Sequence, residues 1–433
     1  MNFAQRRRLL GEQMKGGALV LPTNPEQTRS NDTNFPFRPN SDLLYLSGFP
    51  EPEAVLVLLP GHPEHESVLF VLPKDREKEI WEGFRYGPEG AVAEFGVDAA
   101  FTIDELDEVL PKLLKGRPSL YYSFGQEHDE DVLQAVHSLR ASRKTPDYSP
   151  QAIVNPLPLL HRMRVIKDAD EHALMARAGQ AAAEAHVAAM KATRPGMNEY
   201  EIDALLTAEF RKRGGSGPAY TSIVASGANA CCLHYTQNNS VMRDGDLVLI
   251  DAGCELDWYA ADITRTFPVG KRFSGVQKDI YQVVLEAEIA GIEACRPGIS
   301  NHELQAATIR QLTQGMVDLG LLTGDVDGLV ESKAHQRFYM HGVGHHIGLD
   351  VHDPAFYYEE VDVGVPITAG SVITIEPGIY VPADDMDAPE AMRGIGIRIE
   401  DDVIFTDGDP RVLTSGVPKS VAEIEAIREE ALS

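Results

Sequence analysis

The sequence predicts an α/β protein of two domains, the second of which is internally duplicated. The chain has 433 residues, more than one hydrophobic core usually supports. Short apolar runs alternate with helix-like stretches in its first part, and one order of helix, turn and strand occurs twice in its second part. We therefore expect an N-terminal α/β domain at residues 1–150, a linker at 146–160 and a larger domain at 160–433.

The charge of the chain excludes two classes of partner. With 39 basic and 66 acidic residues the formal net charge is -27, which repels both a phosphate backbone and an anionic lipid surface. We expect neither nucleic acid nor a membrane as a partner. No apolar stretch of signal-peptide length follows the arginines near the start, and no uninterrupted run of roughly 18 apolar residues occurs. A cytoplasmic protein is expected.

The first domain contains strand and helix patterns in alternation. The runs AVLVLLP at 54–60 and SVLFVLP at 67–73 predict buried strands, and the pattern at 103–114 predicts a helix. Four prolines then fall between residues 146 and 158. This density excludes a continuous helix and most central strands, which is why we place the linker there.

The second domain begins with a helix, a turn and a capped helix, and later repeats them. A helix predicted over 169–192 ends at an Arg-Pro-Gly triplet, after which Asn198 is followed three residues later by a glutamate, the pattern of a helix cap. The same order recurs after a helix over 280–294, with a second Arg-Pro-Gly triplet and a cap at Ser300. The recurrence predicts two copies of one α/β unit.

Each copy continues into strands that carry acids. Asp251 ends the run LVLID and Glu376 ends the run VITIE, each six residues after a glycine, and strand-like runs carry Asp262 and Glu400 further on. A carboxylate in an apolar strand is costly to desolvate unless a cation or hydrogen bonds compensate it. Neighbouring strands of a hairpin can bring the two acids of each copy together. The duplicated acids therefore indicate a site with concentrated positive charge.

A fifth ligand is expected from the segment HGVGHHIGLDVHD at 341–353, in which His345 is the candidate. One imidazole with four carboxylates is an oxygen-rich set that favours Mn²⁺, Co²⁺ or Fe²⁺ as much as Zn²⁺. That number of ligands fits two cations roughly 3.5–4 Å apart. A single acid at a strand end is usually just a surface or turn residue, so the prediction depends on all five residues occurring together.

At these positions the sequence resembles the superfamily of methionine aminopeptidase, prolidase and aminopeptidase P, whose pita-bread domain is a duplicated α/β unit. The segments at 222–235 (SIVASGANACCLHY) and 341–353 are more similar to aminopeptidase P than to methionine aminopeptidase. The segment at 38–58 (RPNSDLLYLSGFPEPEAVLVL) resembles the start of the aminopeptidase P N-terminal domain, which implies a smaller, creatinase-like α/β domain there. The resemblance implies five metal ligands: Asp251, Asp262, His345, Glu376 and Glu400.

The resemblance also implies roles. Asp262 and Glu400 match the acids that bridge both metal ions, and three histidines match residues that bind substrate and stabilise the tetrahedral intermediate. The matched accessory residues are His234, His341, His352, Arg398 and Tyr380. The implied function is hydrolysis of the N-terminal Xaa-Pro bond of peptides by a hydroxide that bridges two metal ions, with Mn²⁺ expected, Zn²⁺, Co²⁺ or Fe²⁺ as alternatives, and Glu376 as the proton acceptor. Relatives of this kind imply a homodimer or homotetramer.

Three other functions stay open at this point. A prolidase would cut only Xaa-Pro dipeptides, a pita-bread module without activity would only bind peptides, and a creatinase-like amidinohydrolase would work without metal. The presence of all five ligands argues against the last two. A serine hydrolase or a dehydrogenase has little support, because the sequence contains no G-x-S-x-G motif and no glycine-rich dinucleotide turn.

Overall fold

The computed structural model describes residues 1–361 and 363–433. The chain divides into two compact units, Met1–Met163 and Arg164–Ser433. The proline-rich stretch at 146–160, expected as a linker, contains a short strand and the start of a helix at Leu157–Val165. The predicted domain limits stay predictions. In the described part of the chain no helix combines the length and the apolar character that crossing a membrane requires.

The first unit is built on a mixed sheet of six strands, in the order β6-β5-β4-β1-β7-β8. The strands of this unit are β1 Ala18–Pro22, β2 Thr28–Ser30, β3 Thr33–Asn34, β4 Val55–Leu58, β5 Ser67–Val71, β6 Ala99–Thr102, β7 Leu120–Tyr121 and β8 Ile153–Val154. The two strands predicted from apolar runs are β4 and β5, which pair antiparallel. Every residue of both is buried, as runs without alternation predict.

The first unit also contains helices. They are α1 Phe3–Gln13, α2 Ser41–Ser47, α3 Arg76–Glu82, α4 Gly87–Phe95, α5 Leu106–Leu114 and α6 Asp129–Ser138, and α7 Leu157–Val165 follows at the end of the unit. The helix expected over 103–114 begins with a turn of 3₁₀ helix, because Thr102 and Glu105 form a reciprocal cap one turn earlier. Buried leucines of α5 join the apolar core of the sheet.

The helices of the second unit follow the predicted duplication. They are α8 Ala169–Ala192, α9 Glu199–Lys212, α10 Gly275–Ala294, α11 Asn301–Asp318, α12 Val326–Glu331 and α13 Val421–Ala431. Asn198 and Ser300 form the predicted capping boxes of α9 and α11. The helix expected over 280–294 begins earlier, at Gly275, because Ser274 caps it together with Gln277.

Among the described residues, the strands of the second unit form three three-stranded sheets and two two-stranded sheets. They are β9 Gly217–Pro218, β10 Ile223–Ser226, β11 Leu247–Asp251, β12 Cys254–Leu256, β13 Tyr259–Ala260, β14 Thr264–Pro268, β15 Tyr358–Glu360, β16 Val363–Gly364, β17 Val372–Ile375, β18 Gly378–Val381, β19 Ile395–Arg398, β20 Asp401–Ile404 and β21 Arg411–Val412. One sheet has the order β10-β11-β14, a second β13-β12-β9 and a third β17-β20-β21. An isolated antiparallel bridge between Thr264 and Glu400 links the first and the third of these sheets.

The predicted α/β class and the predicted duplication of the second unit are therefore both present in the structure. The apolar core of the second unit lies between the helices and the sheets: α8, α9 and α10 contribute residues to it together with β11 and β14. Burial of those apolar faces is the main stabilising term of such a domain. The polar groups of both copies meet at the ends of β11 and β17.

Candidate metal centre and active site

The four predicted acids lie where the sheet β10-β11-β14 meets the sheet β17-β20-β21. Asp251 is the last residue of β11, and Glu376 directly follows β17. Asp262 lies two residues before β14, and Glu400 lies directly before β20. Because β11 pairs antiparallel with β14, and β17 with β20, each copy brings its two acids to the same end of a strand pair. The expected convergence within each copy is present.

The two copies also converge on each other, and His345 joins them. Candidate ligand atoms of Asp262, His345 and Glu400 all lie within 4.8 Å of one another. The Nε2 atom of His345 is 3.6 Å from Asp262 Oδ2 and 3.8 Å from Glu376 Oε1. Acids from both halves of the unit therefore face one imidazole, an arrangement that can hold divalent cations.

Asp251 completes the cluster from the other side. Its Oδ2 accepts a hydrogen bond of 2.6 Å from Arg398 Nη2, and its Oδ1 accepts one of 2.6 Å from the hydroxyl of Tyr220. The same hydroxyl also lies within hydrogen-bonding distance of Asp262 Oδ1. A hydroxyl has only one proton to donate, so it cannot satisfy two ionised carboxylates at once. Further positive charge is needed between these acids.

The pKa values of the clustered residues also indicate that positive charge is needed between the acids. Burial, reinforced by the neighbouring acids, raises the pKa of Asp262 and raises that of Glu400 well above its ordinary value. Burial also raises the pKa of Glu376 to about 7. Burial lowers the pKa of His345, but Asp262 and Glu376 outweigh it and raise that pKa to about 9. Without cations, the site therefore draws protons to offset its negative charge.

The histidine segment is held against β17 by backbone hydrogen bonds. Thr374 N donates to His345 O at 2.9 Å, and Glu376 N donates to Val343 O at 2.8 Å. Between them Gly344 lies so close to the strand that a Cβ atom there would be 1.7 Å from Thr374 O. Only glycine fits at this position. The close approach places the His345 ring among the acids.

His341 is linked to the cluster through two further predicted residues. Arg398 Nη1 donates to Tyr380 Oη at 3.0 Å, and that hydroxyl lies 2.8 Å from His341 Nε2. His341 Nδ1 is 2.8 Å from the carbonyl of Gly342. The hydroxyl therefore donates to Nε2, and Nδ1 carries the proton of a neutral ring. Burial and the charge of Arg398 agree with this, since they lower the pKa of His341 to about 4.

A cavity of about 660 Å³ opens onto the cluster. The predicted residues that line it are Asp251, Asp262, His345, Glu376, Glu400, His234, His341, His352 and Arg398. Tyr380 is not among the lining residues: its side chain is fully buried and reaches the cavity only through His341 and Arg398. His352 packs edge-on against the His345 ring, with centroids 4.2 Å apart. The volume fits a short peptide end rather than a folded chain.

Three residues in the site were missed from the sequence. Tyr220 contacts Asp251 and Asp262, and the hydroxyl of Thr264 donates to Glu400 Oε2 at 2.6 Å. Asp402 is buried and its Oδ2 accepts from the backbone N–H of Asp262 at 3.0 Å. Tyrosine and threonine are ordinary residues for their segments and carry no local signal. Asp402, in contrast, is the third of three consecutive acids that begin with Glu400, a signal that could have been used.

The comparisons with known proteins cover nearly the whole chain. Residues 173–407 match the model of metallopeptidase family M24, and residues 3–122 match that of the aminopeptidase P N-terminal domain. The chain belongs to metallopeptidase family M24. Within this family it is 44% identical over 429 residues to the Xaa-Pro aminopeptidase of Escherichia coli, covering 98% of this chain and 97% of that protein. It is 37% identical over 422 residues to human Xaa-Pro aminopeptidase 3, covering 95% of this chain and 81% of that one.

Solved structures agree with the family assignment. An aminopeptidase of Pseudomonas aeruginosa matches with a TM-score of 0.97 and 45% identity, over 100% of this chain and 98% of that chain. A zinc-substituted aminopeptidase P of Escherichia coli, in complex with product, matches with a TM-score of 0.96 and 44% identity, over 99% and 98%. The predicted relationship to aminopeptidase P is confirmed, and the M24 member described here is a metallopeptidase of that type.

The side chains of this M24 member fit divalent metal ions. Carboxylates with one imidazole are the donors that Mn²⁺, Fe²⁺, Co²⁺ and Zn²⁺ accept. The clustered acids also have raised pKa values when no cation compensates them. Asp402 Oδ1 has no hydrogen-bond partner among the described residues although it is buried. The region is thus short of positive charge, which bound cations supply.

Proposed function

We propose that this enzyme removes the N-terminal residue from peptides whose second residue is proline. The observation that supports this most directly is that four acids and His345, drawn from both halves of a duplicated domain, line one cavity of peptide size. Among them, ligand atoms of Asp262, His345 and Glu400 lie within 4.8 Å of one another. The Xaa-Pro aminopeptidases among its relatives act on such bonds by name. In this proposal Asp251, Asp262, His345, Glu376 and Glu400 would hold two divalent ions.

The expected cation is Mn²⁺, with Zn²⁺, Co²⁺ and Fe²⁺ as alternatives, because the donor set discriminates weakly among them. When bound, two such ions would supply a hydroxide nucleophile at neutral pH, because coordination to a metal lowers the pKa of water from 15.7 towards about 7. The protein's contribution is then to place the peptide, accept and return protons, and stabilise negative charge.

The residues of the cavity divide these tasks. Glu376 lies between His345 and His341, at 3.8 and 3.7 Å, and in this proposal it accepts the proton of the nucleophile and returns it to the leaving nitrogen. His234 and His352 reach the cavity from separate segments and stabilise the oxygens of the bound peptide as negative charge develops. Neutral His341, fixed by Tyr380, and Arg398 border the proline ring.

Proline at the second position explains why a dedicated site is required. Its nitrogen carries no N–H, so the scissile bond offers no donor, and its ring fixes the backbone. An aminopeptidase that relies on that donor fits the bond poorly. A site that recognises such a bond must therefore use shape and contacts to carbonyl oxygens, which imidazole N–H groups of His234 and His352 can provide.

A peptide assay tests the proposal. The purified chain, loaded with Mn²⁺, is expected to release the first residue from Ala-Pro-Ala, to leave Ala-Ala-Ala nearly untouched, and to lose activity with chelator. Adding back Mn²⁺, Co²⁺, Zn²⁺ or Fe²⁺ separately ranks the metals. Preference for Gly-Pro over Gly-Pro-Ala would indicate a prolidase instead. Failure to cut any of these peptides with metal bound would favour a peptide-binding module.

The Tyr220 hydroxyl gives a second expectation. Tyr220→Phe removes its contacts with Asp251 and Asp262, and loss of such a partner of a metal ligand typically costs about 10- to 100-fold in metal affinity or activity. Metal titration with bound metal counted by mass spectrometry measures this. Tyr200→Phe, at an exposed position on α9, is the matched control and should behave as wild type. Equal metal affinity and activity in both variants would contradict the expectation.

We also propose that the enzyme works as a homodimer or homotetramer in the cytoplasm. The support for the assembly is the family resemblance. Light scattering of the purified chain tests the first part, since its mass of 47.4 kDa separates one, two and four copies clearly. Fractionation of cells that express the chain tests the second.

A further inference from the structure

A buried glutamate outside the metal cluster organises the loop that carries His234. Glu199, the first residue of α9, is fully buried, and no ion pair of its carboxylate occurs among the described residues. Instead it accepts five hydrogen bonds. They come to Oε1 from Ser226 N, Ser226 Oγ and Asn229 Nδ2 at 2.7, 2.7 and 3.0 Å, and to Oε2 from Tyr235 Oη and Ser240 N at 2.8 and 2.9 Å.

These donors all flank or lie in one segment, residues 227–240, which we call the His234 loop. The loop leaves β10 after Ser226 and returns at Ser240, so Glu199 binds both of its ends and its middle. A carboxylate buried without a cation is stable only where hydrogen bonds to its charged form replace water. Five donors do so here, which shows that the loop is folded around this one carboxylate.

His234 depends on its neighbours for its position. Its ring is exposed to the cavity and makes no hydrogen bond to any residue that the structure describes. Its place is therefore set by its backbone, and the next residue, Tyr235, is the anchored one. The Tyr235 ring packs against Ile223 and Leu249, and its hydroxyl donates to Glu199.

A second residue, Asn238, also holds the later part of the loop. Asn238 accepts a hydrogen bond from Val224 N at 2.9 Å and donates one to Ser222 O at 2.8 Å, which ties it to β10. Glu199 is also not required to cap α9, because Asn198 and Glu201 already form the capping box of that helix. The contact between Glu199 and Tyr235 is thus the one that reaches the backbone next to His234.

We propose that Glu199 is a positioning residue that acts through the Tyr235 hydroxyl to hold the His234 imidazole in the cavity. The proposal rests on the proposed function, in which His234 stabilises negative charge on the bound peptide. An imidazole that is misplaced by about 1 Å can cost about 10²-fold in rate. Loss of the anchor is therefore expected to lower kcat more than it changes KM.

The experiment is a double-mutant cycle on the full-length, metal-loaded enzyme with Ala-Pro-Ala as substrate. Tyr235→Phe removes the hydroxyl, with its hydrogen bond of 2.8 Å to Glu199 and its longer contacts of 3.3 Å to Asn239 Oδ1 and Ser240 Oγ. It keeps the buried ring, so it is the least disruptive variant of the anchor. We expect it to lower kcat about tenfold, and Glu199→Gln to lower kcat at least as much. In a His234→Ala background the same Tyr235→Phe change should have less than a twofold effect, because there is no imidazole left to position.

Tyr122→Phe is the matched control. Tyr122 is also buried and its hydroxyl also donates to a carboxylate, that of Asp129, at 2.8 Å, but it lies in the first unit of the chain. It loses the same kind of hydrogen bond and should leave kcat within twofold of wild type. Bound metal, counted in every variant, should stay equal, which separates a displaced His234 from a damaged metal site.

Two results would overturn the proposal: a Tyr235→Phe effect of the same size with and without His234, or no effect on kcat at all. A measurement without turnover keeps it distinct from the proposed function. The C–H signal of the His234 ring in an NMR spectrum, assigned by its loss in His234→Ala, should shift or broaden in Tyr235→Phe and not in Tyr122→Phe. If the wild-type enzyme cuts no Xaa-Pro peptide, the proposed function is wrong. The NMR signal of His234 still shows whether the Tyr235 hydroxyl positions the His234 ring.

Discussion

Replacing Glu376 by glutamine is expected to lower kcat by about 10³-fold while the chain stays folded. Glu376 follows β17 and its side chain, 18% exposed, faces both His345 and His341 at the edge of the cavity. Glutamine keeps the shape and the hydrogen-bonding oxygen but cannot accept a proton at neutral pH. The variant therefore separates proton transfer from packing.

The pKa of Glu376 makes this role physically reasonable. In the metal-free chain burial raises it to about 7, while His345 and Arg398 pull it down. A general base works best when its pKa lies near the working pH, since it is then both ionised and basic enough to take a proton. Bound cations would lower the pKa of Glu376. The strength of Glu376 as a base therefore depends on both its burial and the nearby cations.

Steady-state kinetics on Ala-Pro-Ala, with metal content measured in parallel, check the expectation. Glu331→Gln, the same substitution at an exposed position at the end of α12, is the control and should match wild type. A Glu376→Gln enzyme with full metal content and near-normal kcat would remove Glu376 from proton transfer. A variant that has lost its metal would instead show Glu376 mainly as a ligand.

Residues of the site could be predicted from the sequence where a short, local stretch of the chain carries a recognisable pattern. Asp251 and Glu376 each interrupt an apolar strand at its end, and the interruption occurs twice in the same position of a repeat. A buried charge is costly, so this local pattern already indicates a compensating partner. The helices of the two copies could be predicted for a similar reason, because caps and Pro-Gly stops are local.

Two of the missed residues, Tyr220 and Thr264, have no such local signal. Tyr220 meets Asp262 across 42 positions and Thr264 meets Glu400 across 136, so only the folded chain brings them together. Glu199 is a further case: in the sequence it is one acid at a helix start, where acids are common, and only the structure shows five donors around it. Hydrogen-bond partners over long separations are set by topology, which residue patterns specify only indirectly.

Removing the divalent cations is expected to abolish hydrolysis and to make the stability of the chain fall as the pH rises. The reason is the sign of the carboxyl pKa shifts. In the metal-free structure the pKa values of Asp262 and Glu400 are raised, and that of Glu376 is raised to about 7. Between the unfolded pKa of about 4.3 and these folded values, the folded chain holds more protons than the unfolded one.

The stability contributed by those bound protons is complete below the unfolded pKa and is lost as the pH rises through the folded pKa. For Glu376 this loss runs from about pH 4.3 to about pH 7. Cations replace the protons in the loaded enzyme, and ligand at 100 times its Kd stabilises the folded state by about 2.7 kcal/mol. The difference in melting temperature between loaded and chelated enzyme should therefore widen from pH 5 to pH 7.

Thermal unfolding of the loaded and the chelated enzyme at several pH values measures this difference in melting temperature. Groups that titrate in the same way in both forms do not contribute to the difference. Chelator presaturated with Mn²⁺ is the control and should change neither activity nor melting temperature. A difference that is constant or shrinks as the pH rises would mean that Asp262, Glu376 and Glu400 are compensated by groups of the protein itself. The convergence of the acids would then be a packing feature. The buried acids need bound cations only if removal of the cations leaves their negative charges facing one another.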